Sequence, residues 1–206
     1  MTDVADPRYA SAVAAIDAAN AEDPNVVVVD GVARPKELLH AEVVERWVRT
    51  LDPSATDLQL LAARAHHLRR WVVPRSDYPA GRAGYLRWRT DHKARQADEV
   101  ATIVRSAGYG PEDVARVAAL VGKRTPKGDA AGQVHEDALC LAFVELQFDD
   151  VVAQLGHDHA VSVVRKTLRK MSPDAIARAA AMPLSPASAA VLVDAVAPTG
   201  DGAGDA

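Results

Sequence analysis

The chain has 206 residues, is 49% hydrophobic and 25% charged, and carries a formal net charge of -4. That is enough apolar side chain for one sizeable core, and the acidic balance argues against a general nucleic-acid coat. No apolar run reaches the roughly 18 residues of a membrane span, the N-terminus lacks a signal-peptide pattern, and the single cysteine excludes an internal disulfide, so a cytoplasmic protein without a membrane partner is expected.

Pro7 suits the first turn of a helix in which Tyr9, Val13 and Ile16 recur at helical spacing to about Asn20. Asp17, Asn20 and Asp23 read either as helix-terminating polar residues or as groups that reach a loop or cleft. NVVVVDG alone has β-branched density; it is a short strand or an extended lead-in to a turn at Asp30-Gly31, with no evident partner strand. A helix follows from Pro35 to about Leu51, with Leu38, Val43, Trp47 and Val48 as its apolar stripe. Asp52-Pro53 breaks it, and Ser54 suits the N-cap of a helix over roughly Thr56 to Trp71. There Leu58, Leu61, Ala65 and Leu68 form the core face, which sets His67 at the edge of that face and His66 further round, beside Arg70.

Pro74, Pro79 and Gly81 force a loop, and a long helix runs from about Ala83 to Arg105, with Tyr85, Arg89 and His92 on one face and Trp88 on the next stripe. Gly108-Tyr109-Gly110 ends it, Pro111 opens a helix to about Val121, and a polar loop follows. Gln133 to about Leu155 is apolar nearly all round and reads as the buried central helix, with Cys140 a small buried hydrophobe. Glu136 and Asp137 open that helix, either as acids favoured by its dipole or as inward-pointing groups that need partners. Helices near His159–Lys170, Pro173–Ala181 and Pro186–Ala195 complete the chain. Arg165, Lys166, Arg169 and Lys170 read as a solvated cationic face or a second anion contact. The expected architecture is a single all-α domain of about eight or nine helices over residues 1–197, with a disordered tail at 198–206.

The chemistry concentrates in RAHHLRRWVVPRSDYPAGRAGYLRWR, Arg64 to Arg89, where seven arginines meet only Asp77. The window is about +6, so the rest of the chain sums to about -10. Part of that charge is explained if arginine stems cover apolar surface and pair with acids elsewhere. A surplus over inward acids would attract an anion, because the planar guanidinium grips phosphate or carboxylate with two parallel bonds. The substrate-binding set expected is Arg70, Arg75, Tyr78, Arg82, Tyr85, Trp88 and Arg89. His67 is the candidate acid or base, and Glu136 or Asp137 would orient it or hold a cation.

HHLRRWVVPRSDYPAGRAGYLRWR, AGYGPEDVARVAALVGK, HEDALCLAFVE and VRKTLRKMS, in that order, make the chain resemble the bacterial and fungal domain-of-unknown-function 4202 family over most of Tyr9 to Ala195. The resemblance implies an all-helical domain and no defined activity. A weaker likeness is to HD-domain metal phosphohydrolases, with His66-His67 near the position of their His-Asp pair and Asp137 near their final aspartate. The chain departs from that pattern: the second residue of the pair is not Asp, and Gln96 stands where the pattern has a histidine. Replacing a hard carboxylate by imidazole weakens Mg or Mn binding and leaves only Zn, Fe or Co open, so no metal ligand is assigned from the sequence, the cofactor stays unknown, and a divalent metal is the less favoured expectation.

Three readings follow from these residues. The first is a small-molecule enzyme, hydrolase-like, acting on an anionic substrate held by the arginines. The second is a non-catalytic module for a nucleotide, a nucleic-acid end or an acidic partner, in which the aromatics stack. A purely structural protein is the third. An anionic small molecule is the favoured partner and nucleic acid the less favoured one.

Overall fold

The computed structural model describes residues 6–29 and 31–197; the tail expected over 198–206 lies outside the described residues. Nine α-helices and one β-hairpin occur among them, so the chain is all-α in class. Two compact units divide the chain, Met1–Ala138 and Leu139–Ala206.

The first unit begins with α1 (Pro7–Ala21), capped by the Asp6 side chain, which accepts from the Arg8 amide at 2.9 Å. The valine run is a strand, β1 (Val26–Val29), and its partner is the next four residues, β2 (Val32–Pro35). The two pair antiparallel with Val29 opposite Val32, across a tight turn in which Gly31 takes φ 79°. The partner strand expected to be missing is therefore the segment directly after the turn. The hairpin delivers the chain to α2 (Lys36–Leu51).

Thr56, rather than Ser54, caps α3 (Asp57–Arg64): its hydroxyl accepts from the Gln59 amide, while its own amide donates to Gln59 Oε1. The helix expected to continue to Trp71 stops at Arg64. Residues 65 to 69 form turns, Arg69 adopts φ 48° and ψ 44°, and a single 3-10 turn covers Arg70–Val72. The left-handed residue redirects the chain ahead of Pro74, whose ring disfavours helix in the residue before it. Then come α4 (Gly81–Ser106), α5 (Pro111–Val121) and the start of α6 (Ala130–Leu155). Ile16 of α1, Leu61 of α3, Val100 and Val104 of α4, and Val117 and Leu120 of α5 interlock as the core of this unit.

The second unit takes α6 from Leu139 onward, with α7 (His157–Leu168), α8 (Pro173–Ala180) and α9 (Pro186–Val196). Along α6, Leu139, Cys140, Leu141, Val144 and Phe148 are buried, as the all-round apolar sequence required, and Phe143 is half-buried. α7 and α9 pack together, and α8 leans on α9.

Candidate metal and anion site

Five of the seven histidines lie in the first unit, and four of them form one cluster. α2 supplies His40, the unwound end of α3 supplies His66 and His67, and the first turns of α6 supply His135. The His40 and His67 rings stack with centroids 4.1 Å apart, those of His66 and His67 lie 4.9 Å apart, and His135 meets His66 edge-on at 5.3 Å. On a continuous helix His66 and His67 would diverge by about 100°. Breaking α3 at Arg64 lets two consecutive residues serve one site.

Glu37 closes the cluster from the first turn of α2. It is buried, and its backbone amide donates to Asp23 Oδ2 at 3.0 Å, while Asp23 Oδ1 holds the amide and side chain of Asn25. Asp23 thus ties the chain entering the hairpin to the helix start after it and fixes where Glu37 stands. The hydrogen bonds of His67 then follow from donor arithmetic. Arg70 Nη1 lies 3.2 Å from His67 Nε2, and a guanidinium can only donate, so Nε2 accepts. His67 Nδ1 therefore carries the proton and donates to Glu37 Oε2 at 3.0 Å.

The electrostatics agree with neutral rings. Burial, then the charge of Arg70, holds His67 well below the usual imidazole range; burial, reinforced by His67, does the same to His40 and His66. Burial, with Lys123 nearby, pushes His135 down to about 3. Burial raises the Glu37 carboxyl. Neutral imidazole is the form that ligates metals, and one ligand atom each from Glu37, His40 and His67 lie within 4.8 Å of one another. His40 Nδ1 is buried with no hydrogen-bond partner. His67 keeps 20% of its side-chain surface accessible, so the cluster is not sealed. Such a set can hold a divalent metal.

Arg70 is the cation that touches this set. Its guanidinium lies over the Trp88 ring at 4.8 Å, and the Trp88 indole is held by a 3.0 Å bond to the Val73 carbonyl. Apart from His67 and Trp88, Arg70 has no hydrogen-bond or ion-pair partner among the described residues, and burial lowers its affinity for its own proton. Arg89 lies over the Tyr85 ring at 5.6 Å, and Tyr85 is 6.1 Å from Trp88 and 44% exposed.

Arg75 is spent on the carbonyls of Tyr78 and Pro79, at 2.9 and 2.8 Å, so it shapes the loop. The Tyr78 hydroxyl donates to Asp91, and Arg82 is exposed. Lys123 pairs with Glu136 at 2.6 Å, and Gln133 donates to Asp137 at 3.0 Å. The carboxylate on His67 is Glu37, from a helix start 30 positions away in sequence. Arg64 is consumed internally by Asp17 and Glu45, at 2.7 and 2.9 Å. The sequence pattern does not single out Glu37, His40 or His135. The i, i+3 spacing of Glu37 and His40 was the available signal for one shared face, though many surface helices carry such a pair.

A family profile matches residues 10–192 and is described as a domain of unknown function, DUF4202. The chain belongs to the DUF4202 family. No curated protein and no solved structure matches it, and nothing in these comparisons ties the DUF4202 chain to HD-domain phosphohydrolases. No helix among the described residues is long and apolar enough to cross a membrane.

Proposed function

We propose that this DUF4202 protein is a metal-dependent, hydrolase-type enzyme acting on a small anionic substrate. Glu37, His40 and His67 hold a divalent transition metal, and Arg70 meets the charge of the substrate. The observation that carries the reading is the convergence of one carboxylate and two imidazoles within 4.8 Å, on three ligand atoms from two separate elements. Tetrahedral zinc with bonds of about 2.0–2.1 Å has ligand–ligand edges of roughly 3.3 Å, so small side-chain rotations close the set. Two imidazoles and one carboxylate favour Zn, Fe or Co over Mg, and three protein ligands leave a position for substrate or water. Such an ion, when bound, polarises a substrate oxygen and acidifies water.

The protein groups around it have distinct tasks. Glu37 keeps the His67 ring in one orientation. Arg70, desolvated against Trp88, binds an oxyanion more strongly than an exposed arginine would. Trp88 and the loop at Val73 brace Arg70 in turn. Glu136 and Asp137 stand on the helix that brings in His135, and their part is to position that helix start.

Metal content after loading with zinc or cobalt, in wild type, Glu37→Gln, His40→Ala and His67→Ala, tests the reading. One equivalent in wild type and a marked loss in each variant is expected, followed by hydrolysis within a panel of phosphate and carboxylate esters. Metal binding that ignores all three substitutions sinks it. The alternative of a non-catalytic binding module rests on the exposed Tyr85 ring beside Arg89. It would be favoured by anion binding without metal or turnover.

A further inference from the structure

We infer that metal binding and the Arg70–His67 hydrogen bond exclude each other, so that the metal releases Arg70 to clamp a phosphate-type dianion and the two ligands bind cooperatively. The inference rests on the metal reading above and adds an order of events to it. In this structure His67 Nε2 accepts from Arg70 Nη1 at 3.2 Å while Nδ1 donates to Glu37 at 3.0 Å. A neutral imidazole that ligates through Nε2 gives that lone pair to the metal, and Arg70 must leave. One that ligates through Nδ1 must carry its proton on Nε2, which then faces the Arg70 N–H as donor against donor, and Arg70 must leave again. Arg70 is displaced whichever nitrogen binds.

A displaced Arg70 has a poor choice of partners. Glu37, the acid on the far side of His67, is committed to the metal. The other charged groups near Arg70 include Arg89, whose field opposes it. Neither Arg70 nor Arg89 has an ion-pair partner among the described residues, unlike Arg64, which has Asp17 and Glu45, and Arg95, which has Glu99 at 2.6 Å. Trp88 limits how far Arg70 can retreat, because its indole is pinned to the Val73 carbonyl beneath the guanidinium. The freed guanidinium therefore stays beside the metal ligands, desolvated, with its fork open. A tetrahedral oxyanion of charge near -2 fits a guanidinium and a metal together better than a monoanionic carboxylate, which has only two oxygens to share between them.

The test is a titration of inorganic phosphate into the full-length protein, metal-free and loaded with one equivalent of zinc then desalted, in wild type, Arg70→Ala and Arg70→Lys. Zinc affinity is measured in parallel by chelator competition with and without phosphate. Zinc is expected to tighten phosphate about tenfold or more in wild type, and by reciprocity phosphate tightens zinc by the same factor. In zinc-loaded Arg70→Ala, phosphate weakens about tenfold while zinc binds as well as in wild type or better, since the competing cation is gone. Arg70→Lys keeps the charge and stem, so it answers the question should the alanine variant fold poorly; phosphate weakens because the fork is lost, and zinc affinity changes little. Phosphate affinity unchanged in both zinc-loaded variants overturns the inference, because the anion is then held by the metal alone. So does equal phosphate binding with and without zinc, or zinc weakened in both Arg70 variants. Failure of wild type to bind zinc overturns the metal reading itself, which the zinc titration reports separately.

Discussion

Lowering the pH from 7 to 5 should destabilise the first unit through its buried histidines, and His135 gives the size of the effect. Its folded pKa is about 3, set by burial and by Lys123, against an unfolded value near 6.5. The folded state therefore binds fewer protons than the unfolded state throughout that interval. The contribution is fully retained above pH 6.5 and is lost as pH falls toward about 3. Between pH 7 and 5, His135 alone accounts for about 2 kcal/mol. His40, His66 and His67 shift in the same direction and add to it, whereas Glu37, whose folded pKa is raised, gains on acidification and offsets part. Asp129, held below its ordinary range by Arg116, acts only at lower pH. Urea unfolding of metal-free protein at pH 7 and 5, in wild type and His135→Gln, isolates the term. Wild type should lose about 2 kcal/mol more than the variant across that interval. Parallel losses in the two proteins would refute the burial of a neutral His135.

Three further outcomes follow from individual contacts. Arg64→Ala removes the cation that bridges Asp17 and the buried Glu45, while Arg49 still pairs with Glu45 at 2.8 Å, so the loss of charged hydrogen bonds should cost about 1.5–3 kcal/mol in chemical denaturation; a change below about 0.5 kcal/mol would mean water replaces the arginine. Gly84→Ala drives a Cβ into the Pro79 carbonyl, so the 79–84 junction must shift and stability should drop by about 1–3 kcal/mol, whereas an unchanged unfolding midpoint would contradict that close approach. Asp23→Ala removes the acceptor that fixes the Glu37 amide, and zinc affinity by chelator competition should fall about 10- to 100-fold with the helices intact by circular dichroism. Unaltered zinc binding in that variant would show that Asp23 does not position the Glu37 carboxylate for the metal.

The helices were legible because their signals are local. Prolines at first turns, side-chain caps and the 3.6-residue apolar period act within a few positions, and they located α1, α2 and α5 to α9 closely enough to order the chain. The arginine window was legible as an excess of charge, but its allocation was not. Whether an arginine meets an acid, a carbonyl or an aromatic ring depends on residues tens of positions away: Arg64 finds Asp17 and Glu45, Arg75 finds its own loop, and Arg70 finds His67 and Trp88. The histidine cluster lay beyond the sequence for a related reason. Helical periodicity sends His66 and His67 in different directions, and only the left-handed turn at Arg69 and the break after Arg64 bring both rings to one place. Glu37 and His40 arrive there because the valine strand pairs with its own continuation and Asp23 pins the start of α2. Local propensity thus determined the elements, and the long-range packing of their ends, which no periodicity records, decided which side chains share a site.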